Sequence, residues 1–147
     1  MAEWTGTDYA LLTAALAATH ADIQSTKAFL RSGEGVEANP LLGENPSNAK
    51  LNAAGLLAAT LGTGAAFAVP KEWRKPLLAG WAGMEATLAH QNKKVGAGQG
   101  ERSFADVMKK PVLAALAAGL LAHYGLPVEV GPTPDGKGVG AGIVRRF

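Results

Sequence analysis

Asn39-Pro40-Leu41-Leu42-Gly43-Glu44-Asn45-Pro46-Ser47 separates two apolar, helix-like segments, and the chain is read outward from it. It holds two Asn-Pro steps. Each proline pushes the residue before it out of the helical region toward extended or turn geometry. The stretch therefore reads as a rigid, turn-rich connector.

Downstream, Ser47 or Asn48 is a natural helix N-cap. Leu51 to Pro70 follows with no charge between Lys50 and Lys71. That run is about 20 residues, the length that crosses a hydrocarbon core of roughly 30 Å. Ala, Gly and Thr dilute it, and Gly55/Ala59, Ala58/Gly62 and Gly64/Ala68 are small pairs four apart. Such pairs suit close helix contact in lipid, and equally a tight alanine-rich bundle in water. The two settings differ in which face turns outward. A soluble bundle buries Leu56, Leu57, Leu61 and Phe67 and exposes Thr60 and Thr63. A lipid-exposed bundle turns small residues inward and leucines outward.

Upstream, Leu11, Leu12, Ala15, Leu16, Thr19, Ile23 and Leu30 recur at helical spacing, predicting a helix over about 9–31 capped by Thr7 or Asp8. Gly33 suits its C-terminus. Val69 to Pro76 reads as a break, its Trp73 flanked by Lys71, Arg74 and Lys75 in the manner of an interfacial anchor or of a solvated turn. A third helix is predicted over about 76–94, with Trp81, Met84, Leu88 and Gln91 on one face. A glycine loop (Gly96, Gly98, Gly100) leads to a fourth helix over about 104–125, with a capping-box spacing at Ser103–Asp106 and Pro111 as a kink or a fresh start. Ala114, Ala118 and Ala122 line one side of it. Residues 126–147 read as a Gly/Pro-rich tail or a loose hairpin turning near Asp135-Gly136. The expected fold is all-α: one helical domain of three to four hydrophobic helices in an antiparallel bundle.

Composition narrows the functions. The chain has no cysteine, which removes disulfides, thiol catalysis and thiolate metal sites. A formal charge of +2 is too small to imply a nucleic-acid surface. Gly131 to Lys137 imitates a phosphate loop, but Gly138 stands where the metal-holding Ser or Thr belongs, and prolines remove amide donors. His20, His90 and His123 lie on three separate segments, and Asp22 is two residues from His20, off its helical face. No catalytic, cofactor-binding or metal-ligating set emerges; the expectation is a non-enzyme without cofactors.

Polar residues inside apolar helices are the remaining candidates. Asp22 and Glu85 are candidate intramembrane acids, with Gln24, Thr26, His90 and Asn92 as prospective partners. A charge at the bilayer centre costs roughly 3 kcal/mol or more, so such groups face partners or water. They serve a polar path or an oligomer contact, or simply bond helices together. Asn39 and Pro40 are structural positions of the connector. The distribution of Lys and Arg weakly places the connector in the cytoplasm if four helices span.

The Asp22-x-Gln24-Ser25-Thr26 stretch, Glu37-Ala38-Asn39-Pro40-Leu41-Leu42-Gly43-x-x-Pro46-Ser47, Val69-Pro70-x-x-Trp73-Arg74 and Trp81-x-Gly83-x-Glu85 resemble small, uncharacterised helical membrane proteins of phages and prophages. The resemblance covers roughly residues 20–95, its connector being the most specific part, and the chain departs from the pattern after Asn92. It implies an α-helical protein of the bacterial inner membrane, phage-encoded in origin, with no known catalytic activity. The expected role is structural or membrane-modifying, as a lysis accessory or host-envelope factor. The expected partners are itself, the lipid bilayer, or a membrane or virion protein. The alternative is a soluble alanine-rich bundle serving as a virion or complex component, which Lys109-Lys110-Pro111 favours because it sits awkwardly in a span.

Overall fold

A computed structural model describes residues 3–33, 36–37, 39–95, 104–124, 128–132 and 139–143. Four helices follow one another: α1 (Gly6–Ser32), α2 (Asn48–Ala68), α3 (Lys71–Val95) and α4 (Phe104–His123). Strands β1 (Val128–Pro132) and β2 (Val139–Ile143) then pair antiparallel, Val128 opposite Ile143 and Pro132 opposite Val139. The fold is thus helical with a small hairpin appended. The expected turn of that hairpin, the glycine loop at 96–100 and the Ser103 cap lie outside the described residues.

The first helix starts earlier than its apolar periodicity predicts. Its N-cap is Thr5, not Thr7 or Asp8. Thr5 Oγ1 accepts from the Asp8 amide at 3.3 Å, and Asp8 Oδ2 accepts from the Thr5 amide at 2.8 Å. This reciprocal capping box uses Asp8 at the third helical position, where a carboxylate also meets the positive end of the helix dipole. The helix ends as its glycine predicts, Gly33 adopting φ 71°.

Ser47 caps α2 by accepting from the Lys50 amide at 3.2 Å. Val69, immediately before Pro70, is extended (φ −73°, ψ 152°) and ends that helix. The chain then turns directly into α3, so the expected break over 69–76 is only two residues wide. Pro76 lies inside α3, where it lacks only the amide that would have reached back to the first turn. Pro111 likewise lies within α4, fully buried, and the helix continues through it.

The connector is built by its own asparagine. Asn39 Oδ1 accepts from the Leu41 amide at 3.0 Å, and the Asn39 carbonyl accepts from the Leu42 and Gly43 amides. Gly43 takes φ 75°, a conformation that a side chain would strain. The Glu37 amide donates to the Glu44 carbonyl at 2.8 Å and closes the loop, while Lys50 Nζ donates to the Leu42 carbonyl at 2.7 Å.

α3 is the central element, packed against α1 on one side and α4 on another, with α2 resting more lightly on α1 and α3. The buried apolar residues are mostly small: Ala15, Ala66, Ala79, Ala82 and Ala89, with Leu51 and Leu78. Such a core brings backbones together. A Cβ on Gly80 would lie 3.1 Å from the Ala115 carbonyl oxygen, and one on Gly119 would lie 3.3 Å from that of Pro76. The close approach of α4 therefore runs through Ala115 and Gly119. Of the small pairs in α2, Gly55 meets Ile23 of α1 and Gly62 meets Trp81 of α3, whereas Gly64 faces open space. The opposite face of α2 is largely uncovered: Leu56 is 68% exposed, Leu61 62%, Leu57 58% and Phe67 53%.

Candidate functional site

Two polar assemblies and one groove stand out against this alanine-rich background. The first assembly joins α1 to α3. Asp22, Ser25 and Thr26 lie on one side of α1, the latter two buried. Asn92, about six turns along α3, reaches across to them. Its Nδ2 lies 2.9 Å from Asp22 Oδ1, 2.8 Å from Thr26 Oγ1 and 3.2 Å from Ser25 Oγ. Two amide hydrogens thus serve three acceptors. Next to Thr26 on α1, Lys27 Nζ donates to Asn52 Oδ1 of α2 at 2.6 Å. The cluster opens on a cavity of about 110 Å³, whose walls include Glu37, Asn39 and Leu42 of the connector and Met108 of α4.

Of the sequence candidates, Asp22, Asn92 and Asn39 come together here. Pro40 is exposed beside them. Gln24 faces outward, on the far side of α1 from Asn92. Glu85 is buried elsewhere: its Oε1 accepts from Trp81 Nε1 at 3.2 Å, one turn back on the same helix. His90 is half-buried and joins neither assembly. Glu37 and Lys27 were not singled out by sequence; a lysine buried on the polar half of α1 was the available signal.

The second assembly gathers the start of α1, the end of α2 and the start of α3. Arg74, buried, is its hub. Its Nε donates to the Ala66 carbonyl at 3.2 Å, its guanidinium lies 3.8 Å from Asp8 Oδ2, and its Cζ sits 4.8 Å over the Trp4 ring. Trp4 packs on Phe67 and Tyr9 at ring separations of 4.4 and 5.3 Å. Burial pushes the Asp8 carboxyl up, but the Thr5 amide and hydroxyl and the charges of Arg74 and Lys75 outweigh it and hold the group below its usual range. Beside this assembly Trp73 stacks on His123 of α4 at 5.2 Å, and Tyr124 meets that imidazole edge-on. Rings from all four helices and the N-terminal segment thus collect at one end of the molecule, among Lys71, Arg74 and Lys75.

A groove of about 910 Å³ runs from this aromatic end along α3, walled by α2 and α4. Its lining is apolar, except that Glu85 reaches it from the α3 side, and Trp73, Trp81 and His123 contribute rings. Among the described residues, no cluster of His, Cys, Asp and Glu has the make-up of a metal site. The Asp22–Asn92 and Arg74–Asp8 groups bond helices to one another.

Comparison with protein-family models, curated proteins and solved structures gives no match.

Proposed function

We propose that the protein is a small integral membrane protein of phage or prophage type, with an antiparallel helix bundle and a structural or membrane-modifying, non-catalytic role. The outward face of α2 carries this reading. Leu56, Leu57, Leu61 and Phe67 are exposed while Gly55 and Gly62 turn inward. Fully burying a large apolar side chain is worth about 1.5–3 kcal/mol, so leaving these four more than half exposed to water forgoes about 4–7 kcal/mol. A bilayer removes that penalty. α2 spans 21 residues and is long and apolar enough to cross one.

The aromatic end supports the same setting. Trp, Tyr, Lys and Arg are enriched where helices leave the hydrocarbon. The meeting of the start of α1, the end of α2, the start of α3 and the end of α4 there supports an alternating up-and-down order. The Asp22–Asn92 cluster then acts as interhelical glue, with acids satisfied by neighbours rather than by water. The setting is the bacterial inner membrane, with self-association or a membrane or virion protein as partner. The test is fractionation: the reading requires the protein to stay with the membrane pellet through high-salt and alkaline washes and to need detergent for extraction.

The alternative, a soluble virion or complex component, draws on α2 being the one described helix that meets the length and apolarity of a span. In that case a protein partner covers the outward leucines, and the chain is soluble and monodisperse without detergent when that partner is bound.

A further inference from the structure

The groove between α2 and α4 sets one acidic group among apolar walls. Its floor is one face of α3, and its walls are apolar. Glu85 is the one carboxylate among its described lining residues, and no lysine or arginine accompanies it. The glutamate is buried, and its partners are neutral: the Trp81 indole donates to it at 3.2 Å, and the Thr19 hydroxyl also bonds it. The Trp81 ring lies beside it, and Trp73 and His123 stack more than three turns back along α3, at the aromatic end of the groove. A concave apolar site of several hundred Å³ with a few convergent polar groups is the usual form of a small-molecule site. A carboxylate beside a π face, among apolar walls, favours a positively charged guest over a neutral or negative one.

We infer that this groove binds a lipophilic organic monocation, whose charge lies against Glu85 and Trp81 and whose apolar body fills the space between α2 and α4 toward Trp73. The inference is independent of the membrane assignment, because the groove is formed within one chain whether lipid or a partner covers the outer leucines.

Two ions of the same size and shape but opposite charge test it: tetraphenylphosphonium and tetraphenylborate. Each is titrated against the full-length protein by equilibrium dialysis in an uncharged detergent, with protein-free micelles as the blank. The expected result is saturable uptake of the phosphonium, tighter than that of the borate by on the order of tenfold or more. Glu85→Gln is expected to remove that preference, and Met84→Trp, which fills the groove, to weaken both ions. If Glu85→Gln does not fold, the comparison of the two ions on the unsubstituted protein decides. Equal uptake of both ions overturns the inference and marks the groove as a hydrocarbon-chain site. A charge preference that survives in folded Glu85→Gln overturns it too. So does phosphonium uptake that disappears as the protein self-associates, which assigns the groove to a second copy of the chain.

Discussion

A Cβ built on Gly62 of α2 would lie 2.7 Å from Cζ3 of Trp81 on α3, so the flat indole occupies the space that any other residue at 62 would need. Trp81 is not free to retreat, because its Nε1 donates to buried Glu85 at 3.2 Å. The light contact of α2 with α3 depends on this fit.

Gly62→Ala is therefore expected to destabilise the fold by about 1–2 kcal/mol, the overpacking cost exceeding the gain in helix propensity. Gly64→Ala, two residues on and facing open space, should instead stabilise by up to about 1 kcal/mol. Thermal unfolding of both variants in one detergent checks the pair. Equal effects would mean that α2 does not rest on Trp81.

Asn92→Ala leaves Asp22, Ser25 and Thr26 without their shared donor. The expected loss is about 1–3 kcal/mol. Asn92→Asp should be worse, since it also sets a second carboxylate beside Asp22. The order of melting temperatures, unsubstituted above Asn92→Ala above Asn92→Asp, is the readout. A tolerated Asn92→Asp would show that the cluster does not bind α1 to α3.

Asp8 predicts a pH dependence. Its folded-state affinity for protons is depressed below the ordinary value of 3.8. Its stabilisation is therefore complete above that value and is lost as pH falls through the lower, folded-state one. Melting temperature should drop on acidification from about pH 5, and Asp8→Asn should flatten this part of the profile. Arg74→Ala, which strips the buried carboxylate of its partner, should cost about 3 kcal/mol. Arg74→Lys should recover little of that, as lysine cannot reach the Ala66 carbonyl, Asp8 and the Trp4 face together. An acid profile identical in Asp8→Asn contradicts the assignment.

Much of the fold was legible in the residues. Alternating apolar runs and turn signals place all four helices, Ser47 caps α2, and Gly33 ends α1. Boundaries near proline were not. The stretch before Pro76 reads as a break because proline is disfavoured inside helices, yet α3 begins at Lys71 and absorbs it in its second turn. The Thr5–Asp8 box lies in polar residues that carry no apolar period. The polar cluster was half legible: Asp22 and Asn92 stand out as polar insertions, but their pairing across 70 residues depends on how α3 lies against α1. Arg74 reads as a membrane anchor in sequence, and its guanidinium instead turns inward to Asp8 and Trp4. Local pattern cannot reveal that, because both partners lie more than sixty residues away.

The membrane assignment is tested most directly at the outer face of α2. The chain has no cysteine, so single cysteines at Leu57 and Leu61 can each carry a nitroxide label without competition. In reconstituted vesicles, membrane residence predicts relaxation of both labels by dissolved oxygen and protection from a water-soluble nickel chelate. Labels relaxed as readily by the nickel chelate as by oxygen would place this face in water and contradict the account.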